Sequence, residues 1–255
     1  MSADNYSNEK PAIMAHLVAG YPDPAGAMAA ARALASGGAR YLEIQFPFSD
    51  PSADGPVIQT ACVQSLEGGF TLDSGFAFAK EASGLGIPVF IMSYASLAFA
   101  RGVKRFCADA KAAGARGLII PDLCCGEDEG LYDEGKRLGL AVVPVVAPGI
   151  AESRRKEILG LKTDFVYAAL RTGITGQKTE IGADNIAFIE ALAAGGAKVM
   201  AGFGIRAREQ VAALAGRVHA AIVGSAFTAA IGESAKGGTE AVGAAVSAKI
   251  RELVS

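Results

Sequence analysis

Eight short apolar runs punctuate the chain, near Ile13–Ala19, Tyr41–Phe46, Pro88–Ser93, Gly117–Pro121, Ala141–Val146, Phe165–Leu170, Lys198–Ala201 and Ala220–Val223. Runs of this length and polarity read as strands buried on both faces, the habit of parallel sheets. Between them lie Ala-rich amphipathic segments such as Asp23–Ser36, Leu97–Ala113 and Arg206–Leu214, which read as helices. One phrase recurs four times at a helix end: Ala35-Ser-Gly-Gly, Ala112-Ala-Gly, Ala193-Ala-Gly-Gly and Ala213-Leu-Ala-Gly, each followed by an apolar run. Gly just past a helix supplies the left-handed cap, so each copy predicts a helix handing over to a strand.

Helix followed by buried strand, repeated eight times in 255 residues, predicts an α/β fold: one (β/α)8 barrel domain spanning residues 1–255. The structural alternative is an open doubly wound sheet. That fold has fewer strands and carries a Gly-rich turn after the first of them, where this chain has only Gly20-Tyr-Pro-Asp-Pro24.

In a barrel, chemistry belongs at the C-terminal ends of the strands and in the loops beyond them. The second strand directs attention there. Glu43 sits inside an apolar run, and a loop with Asp50 and Asp54 follows. Burying a carboxyl is costly, and an apolar setting disfavours its charged form, which suits a proton donor. Asp54 lies beside Gly55 and Pro56, where water or backbone donors are expected to keep it ionised. Paired carboxylates of this kind suit general acid–base chemistry, although Asp50 also reads as a turn residue. Other strand ends carry Met92-Ser-Tyr94, Pro121-Asp122 and Tyr167, the last leading into Arg171-Thr-Gly-Ile-Thr-Gly-Gln-Lys-Thr-Glu180.

Glycines mark a second feature. Gly202, Gly204 and Gly224, with Ser225 and an Ala-rich helix start behind them, stand where barrels hold a phosphate on backbone N–H groups. Gly173 and Gly176 offer a further N–H wall. No dinucleotide or Walker fingerprint is present, so the phosphate is expected on the substrate.

Composition narrows the field. The formal net charge is −2 with no basic block, which speaks against nucleic acid and membrane surfaces as partners. No apolar run reaches the ~18 residues of a membrane span, and the first ten residues lack a signal-peptide pattern, so a cytoplasmic location is expected. Cys62, Cys107, Cys124 and Cys125 form no Cys-x-x-Cys pair, and His16 and His219 are the only histidines. No metal site is expected, nor a Ser-His-Asp triad; the cysteines read as reduced thiols, with Cys124-Cys125 in a loop.

The stretch Leu42-Glu-Ile-Gln-Phe-Pro-Phe-Ser-Asp-Pro-Ser-Ala-Asp-Gly-Pro56 resembles the signature of the tryptophan synthase α subunit family. Ala19-Gly-Tyr-Pro-Asp23, Met92-Ser-Tyr94, Pro121-Asp-Leu123, Arg171-Thr-Gly-Ile-Thr-Gly176, Gly202-Phe-Gly-Ile205 and Gly224-Ser-Ala226 extend the resemblance in the family's order. It implies retro-aldol cleavage of indole-3-glycerol phosphate to indole and D-glyceraldehyde 3-phosphate. Glu43 would be the acid/base and Asp54 the second catalytic carboxylate. Tyr167, Tyr94, Met92 and Thr175 would meet substrate, and Gly176, Gly204, Gly224 and Ser225 would hold phosphate. Arg171 and Gly173 would belong to a mobile lid over 171–180, and Asp50 to a partner-facing loop. The resemblance also implies no cofactor in this chain. A β subunit carrying pyridoxal phosphate would join it in an α2β2 heterotetramer.

Several positions depart from the pattern: His16 replaces an aromatic or aliphatic residue, Gln45 a Gly, Phe46 an Ile or Val, and Ser96 an Asn. Cys124-Cys125 replaces Pro-Pro or Pro-Tyr, and the segment before the first strand is short for the family's extra helix. Two other readings share the features. One is a phosphate-binding barrel isomerase or epimerase, which needs the glycines but not the Asp54 loop. The other is a subunit that mainly activates a partner and is weakly active alone.

Overall fold

The computed structural model describes residues 10–124, 126–173 and 179–255. Nine parallel strands lie in the order β5-β4-β3-β2-β1-β9-β8-β7-β6. They are β1 (Ala12–Val18), β2 (Tyr41–Gln45), β3 (Val89–Met92), β4 (Gly117–Ile119), β5 (Ala141–Val143), β6 (Val145–Val146), β7 (Phe165–Ala169), β8 (Lys198–Gly202) and β9 (Ala220–Val223). The two outer members, β5 and β6, are halves of the fifth predicted run, separated only by Pro144. Proline has no N–H to donate to a ladder. The run therefore pairs with β4 before Pro144 and with β7 after it, and the Pro144 carbonyl accepts from Tyr167 N at 2.9 Å. Counted as one bent strand, the pair brings the barrel to eight and all but closes it.

The predicted connections form for the expected reasons. Asp23 caps the helix Pro24–Gly37, its Oδ1 accepting from Gly26 N at 2.8 Å. The recurring glycines take positive φ: Gly38 108°, Gly114 77°, Gly196 84° and Gly216 71°. The segment Leu97–Ala113 differs from expectation, because Gly102 (φ 84°) divides it into helices Ala95–Arg101 and Val103–Ala112.

Strand periodicity sorts the core into two layers. Ile13, Ala15, Leu17, Leu42, Ile44, Val89 and Ile91 pack outward against the helices. Met14, Tyr41, Phe90, Met92, Phe165, Tyr167, Met200 and Ile222 fill the barrel. The lower interior is an aromatic plug. The Tyr41 and Phe90 rings meet edge-on at 6.0 Å and Phe90 and Phe165 at 5.6 Å, while the Tyr41 hydroxyl lies 2.7 Å from His219 Nε2. Because the plug closes the barrel from below, space remains only toward the C-terminal ends of the strands.

Candidate active site

A cavity of about 560 Å³, including its open mouth, occupies that space. Glu43, Asp54, Met92, Tyr167, Gly204, Gly224 and Ser225 all line it, as do His16, Phe203 and Ile222. Seven candidates scattered over more than 180 positions of sequence thus meet around one volume.

Glu43 is buried, and it is not the lone carboxyl that an apolar strand suggests. His16 and Glu43 are register partners on β1 and β2, and His16 Nδ1 lies 3.0 Å from Glu43 Oε2. Burial works to lower the His16 pKa. The hydrogen bond to Glu43 and the charges of Glu43 and Asp54 outweigh it and hold the ring above its ordinary value of 6.5.

Asp54 also differs from expectation. It is only 2% exposed, and side chains hold its carboxylate. Gln45 Nε2 donates to Oδ2 at 2.8 Å, and the Tyr94 hydroxyl donates to the same oxygen at 2.8 Å. Gln59 Nε2 fixes the Asp54 carbonyl at 2.7 Å, and Pro51 O accepts from Asp54 N at 3.0 Å. Burial raises the Asp54 pKa. The nearby His16, Gln45 and Tyr94 only partly offset it, and Glu43 adds to it.

Tyr94 therefore has a different task from the one its motif suggests. Its hydroxyl is committed to Asp54 and accepts from Ala53 N at 3.1 Å, and it is not among the cavity-lining residues. Its ring stacks on Phe48 at 5.4 Å, which ties the loop after β2 to β3. Tyr167 does line the cavity. Burial, then the charges of Glu43 and Asp54, push its pKa well up, so it enters as a neutral phenol. Burial and Asp54 also drive the Cys62 thiol up to about 12, which keeps it protonated beside Gln45.

The glycine wall is built by the loops after β8 and β9. Phe203 takes φ 75°, a conformation that costs a non-glycine residue ~1–3 kcal/mol and needs external support. Thr179 Oγ1 donates to Phe203 O at 2.8 Å, and Gln210 Nε2 donates to Gly204 O at 2.7 Å and to Thr179 O at 2.7 Å. Gly224 precedes the helix Ser225–Ser234, whose N-terminus opens on the cavity, as an anion site requires. Gly202 departs from its predicted part. It lies in β8, and its missing side chain makes room for the Tyr167 hydroxyl, which a Cβ would approach to 2.3 Å.

The remaining candidates sit elsewhere. Asp50 is exposed in the loop after β2, with Ser49 Oγ donating to its Oδ2 at 2.5 Å. Asp122 caps the helix Ala95–Arg101 through Ala95 N at 2.9 Å. Arg171 and Gly173 follow β7 without lining the cavity. Thr175, Gly176 and Cys125 lie outside the described residues, as does the segment before Lys10. Phe203 and Gln210 are the site residues that sequence reasoning did not single out. His16 and Gln45 stand out in the sequence as departures at the indole pocket, and only the need of Glu43 for a partner could have pointed to the pairing with His16.

Comparison with known proteins finds relatives over nearly the whole chain. The family model described as "Tryptophan synthase alpha chain" matches residues 2–254. The chain is 39% identical to the tryptophan synthase alpha chain of Helicobacter hepaticus over 232 residues, covering 88% of this chain and 87% of that one. It is 39% identical to that of Leifsonia xyli subsp. xyli over 234 residues, covering 91% and 88%. Among solved structures, it is similar to a chain of the tryptophan synthase complex from Pyrococcus furiosus (TM-score 0.85, 30% identity, 96% of this chain and 98% of that one). It is also similar to a chain of tryptophan synthase from M. tuberculosis (TM-score 0.84, 29% identity, 96% and 94%).

Proposed function

The chain belongs to the tryptophan synthase alpha chain family, and on that footing we propose that it cleaves indole-3-glycerol phosphate to indole and D-glyceraldehyde 3-phosphate. The observation that carries the reading is the meeting of two buried carboxyls, Glu43 and Asp54, with the Gly204 and Gly224–Ser225 wall around one cavity. An isomerase of sugar phosphates would use the wall but has no call for an Asp54 buried and held by Gln45 and Tyr94.

The chemistry assigns the parts. Cleavage needs a proton delivered to C3 of the indole ring and one removed from the adjacent hydroxyl of the glycerol chain. Glu43 performs both exchanges in turn. Protonation at C3 makes the ring nitrogen cationic, and the Asp54 carboxylate stabilises that charge. Met92, Ile222 and Phe203 offer the apolar walls for the ring, and Tyr167 packs edge-on against Phe203 at 6.0 Å. The phosphate rests on the backbone N–H groups of the Gly204 loop and the N-terminus of Ser225–Ser234.

A β-type partner belongs to the same reading. One P. furiosus relative is described in terms of mutual activation of an α2β2 complex. We expect this chain to enter a heterotetramer of the same kind, with pyridoxal phosphate in the partner and none here. The exposed Asp50 loop stands at the C-terminal rim and is the face offered. A cytoplasmic location completes the proposal. Among the described residues no helix is long and apolar enough to cross a membrane.

The test is indole release from indole-3-glycerol phosphate by the purified chain, with and without its β subunit. Glu43→Gln keeps shape and polarity but cannot cycle a proton, so turnover should fall ~10²-fold or more while the variant stays folded. Near wild-type cleavage by a folded Glu43→Gln variant would remove Glu43 from the mechanism and the reading with it.

A further inference from the structure

The Glu43 carboxyl shares the cavity wall with an imidazole for which the family pattern has no place. Register pairing on β1 and β2 sends both side chains off the inner side of the sheet at one level. The His16 Nδ1 to Glu43 Oε2 distance is 3.0 Å, and each side chain is 5% exposed. The other ring nitrogen, Nε2, is buried without a hydrogen-bond partner among the described residues, although His16 lines the cavity. The titratable groups facing the ring are Glu43 from β2, Asp54 from the loop after β2 and Tyr167 from β7. From the end of β9 comes Gly224, where a Cβ would stand 3.5 Å from His16 Cβ. Among the described lining residues there is no lysine or arginine to neutralise the two carboxyls. An aromatic side chain would fill the same wall without the cost of burying a charge, so packing alone does not account for a histidine here.

We infer that His16 and Glu43 form a one-proton acid–base pair, in which His16 is the positioning residue that stores the proton Glu43 exchanges with substrate. The inference rests on the function proposed above. The shared proton has two arrangements, imidazolium beside carboxylate and neutral imidazole beside carboxylic acid. Nε2 carries a hydrogen in both, so it stands as a donor for an oxygen of the bound ligand. The cycle balances. Glu43 passes the pair's proton to indole C3, and the hydroxyl proton then moves to Glu43. The hydroxyl oxygen forms the aldehyde carbonyl, and the electron pair of the broken C–C bond returns to the ring. The pair ends with the one proton it began with. The raised pKa of His16 fits this account, since the hydrogen bond and charge of Glu43 favour the imidazolium over what burial alone would leave.

Two measurements on the full chain test it. Nitrogen-resolved NMR of the two histidines needs no substrate, and His219→Gln assigns the other signal. His16 should titrate above 6.5 in the wild type and below 6.5 in Glu43→Gln, where burial is opposed only by the Asp54 charge. In kinetics, the basic limb of the kcat/KM profile should move to lower pH in both His16→Gln and His16→Phe, where Glu43 must hold the proton alone, with kcat down ~10- to 100-fold. The Phe variant restores an apolar wall and guards against a Gln variant that fails to fold. A wild-type His16 titrating at or below its ordinary value, or a basic limb unchanged in either variant, would overturn the pair. An inactive Glu43→Gln with an unchanged His16 variant profile defeats this inference alone, whereas a fully active Glu43→Gln defeats the proposed function as well.

Discussion

Gly202→Ala probes how the site is spaced. The position lies in β8 with ordinary strand geometry, so any penalty comes from space alone. The new Cβ would stand 2.3 Å from the Tyr167 hydroxyl oxygen, 2.9 Å from Cζ and 3.1 Å from Ile222 Cβ, the first about 1.1 Å inside ordinary contact at 3.4 Å. The nearest atom is the tip of a ring, so the tyrosine swings before the backbone moves. That swing carries Tyr167 within the cavity it lines with Glu43 and Asp54. Overpacking of this kind costs ~1–3 kcal/mol. Displacing a positioning group by ~1 Å costs ~10²-fold in turnover. Denaturant midpoints report the first effect, and kcat for indole release reports the second. Tyr167→Phe removes the clashing oxygen and leaves Cζ at 2.9 Å, so the double variant should recover part of the loss, with a coupling of ~0.5–1 kcal/mol. Strictly additive stabilities would refute the steric account. A rise in KM with kcat intact would return Gly202 to the anion site.

Two further outcomes follow from the same geometry. The buried Asp54 takes up a proton more readily folded than unfolded, so its contribution to stability is favourable at low pH and is lost as pH rises from 3.8 through the raised folded value. Asp54→Asn should therefore gain thermal stability relative to wild type as pH climbs through that window, while turnover collapses; a stability difference independent of pH would contradict this. Gly204→Asp sets a carboxylate against the proposed anion site at a position with φ 88°, and inorganic phosphate should no longer compete with substrate in a folded variant. Phosphate competition equal to wild type would displace the site from the Gly204 loop.

Much of this protein is written in short stretches. Apolar runs, helix-capping glycines and Asp23 act over a few residues, because strand burial, left-handed caps and N-caps are local matters of side-chain size and backbone φ. Eight such units in a row leave few ways to close a sheet, so the barrel was legible before any coordinate. The Glu43–Asp54 stretch was legible too, because a carboxyl in an apolar strand and a loop of Asp, Pro and Gly are exceptions to local rules. Partnership was not. His16 meets Glu43 across 27 positions because two parallel strands settle into one register, and a shift of one residue would turn the imidazole to the opposite face. Tyr94 reaches Asp54 across 40 positions because β3 lies beside β2, and Gln210 reaches the Gly204 loop from a helix start. Pro144 shows the same division: its missing N–H is local, but which strand claims each half of the run depended on neighbours that only barrel closure supplies. Periodicity along a chain decides which face a residue takes, whereas the level at which it meets a partner is decided by sheet register and loop docking, and those belong to the packed structure as a whole.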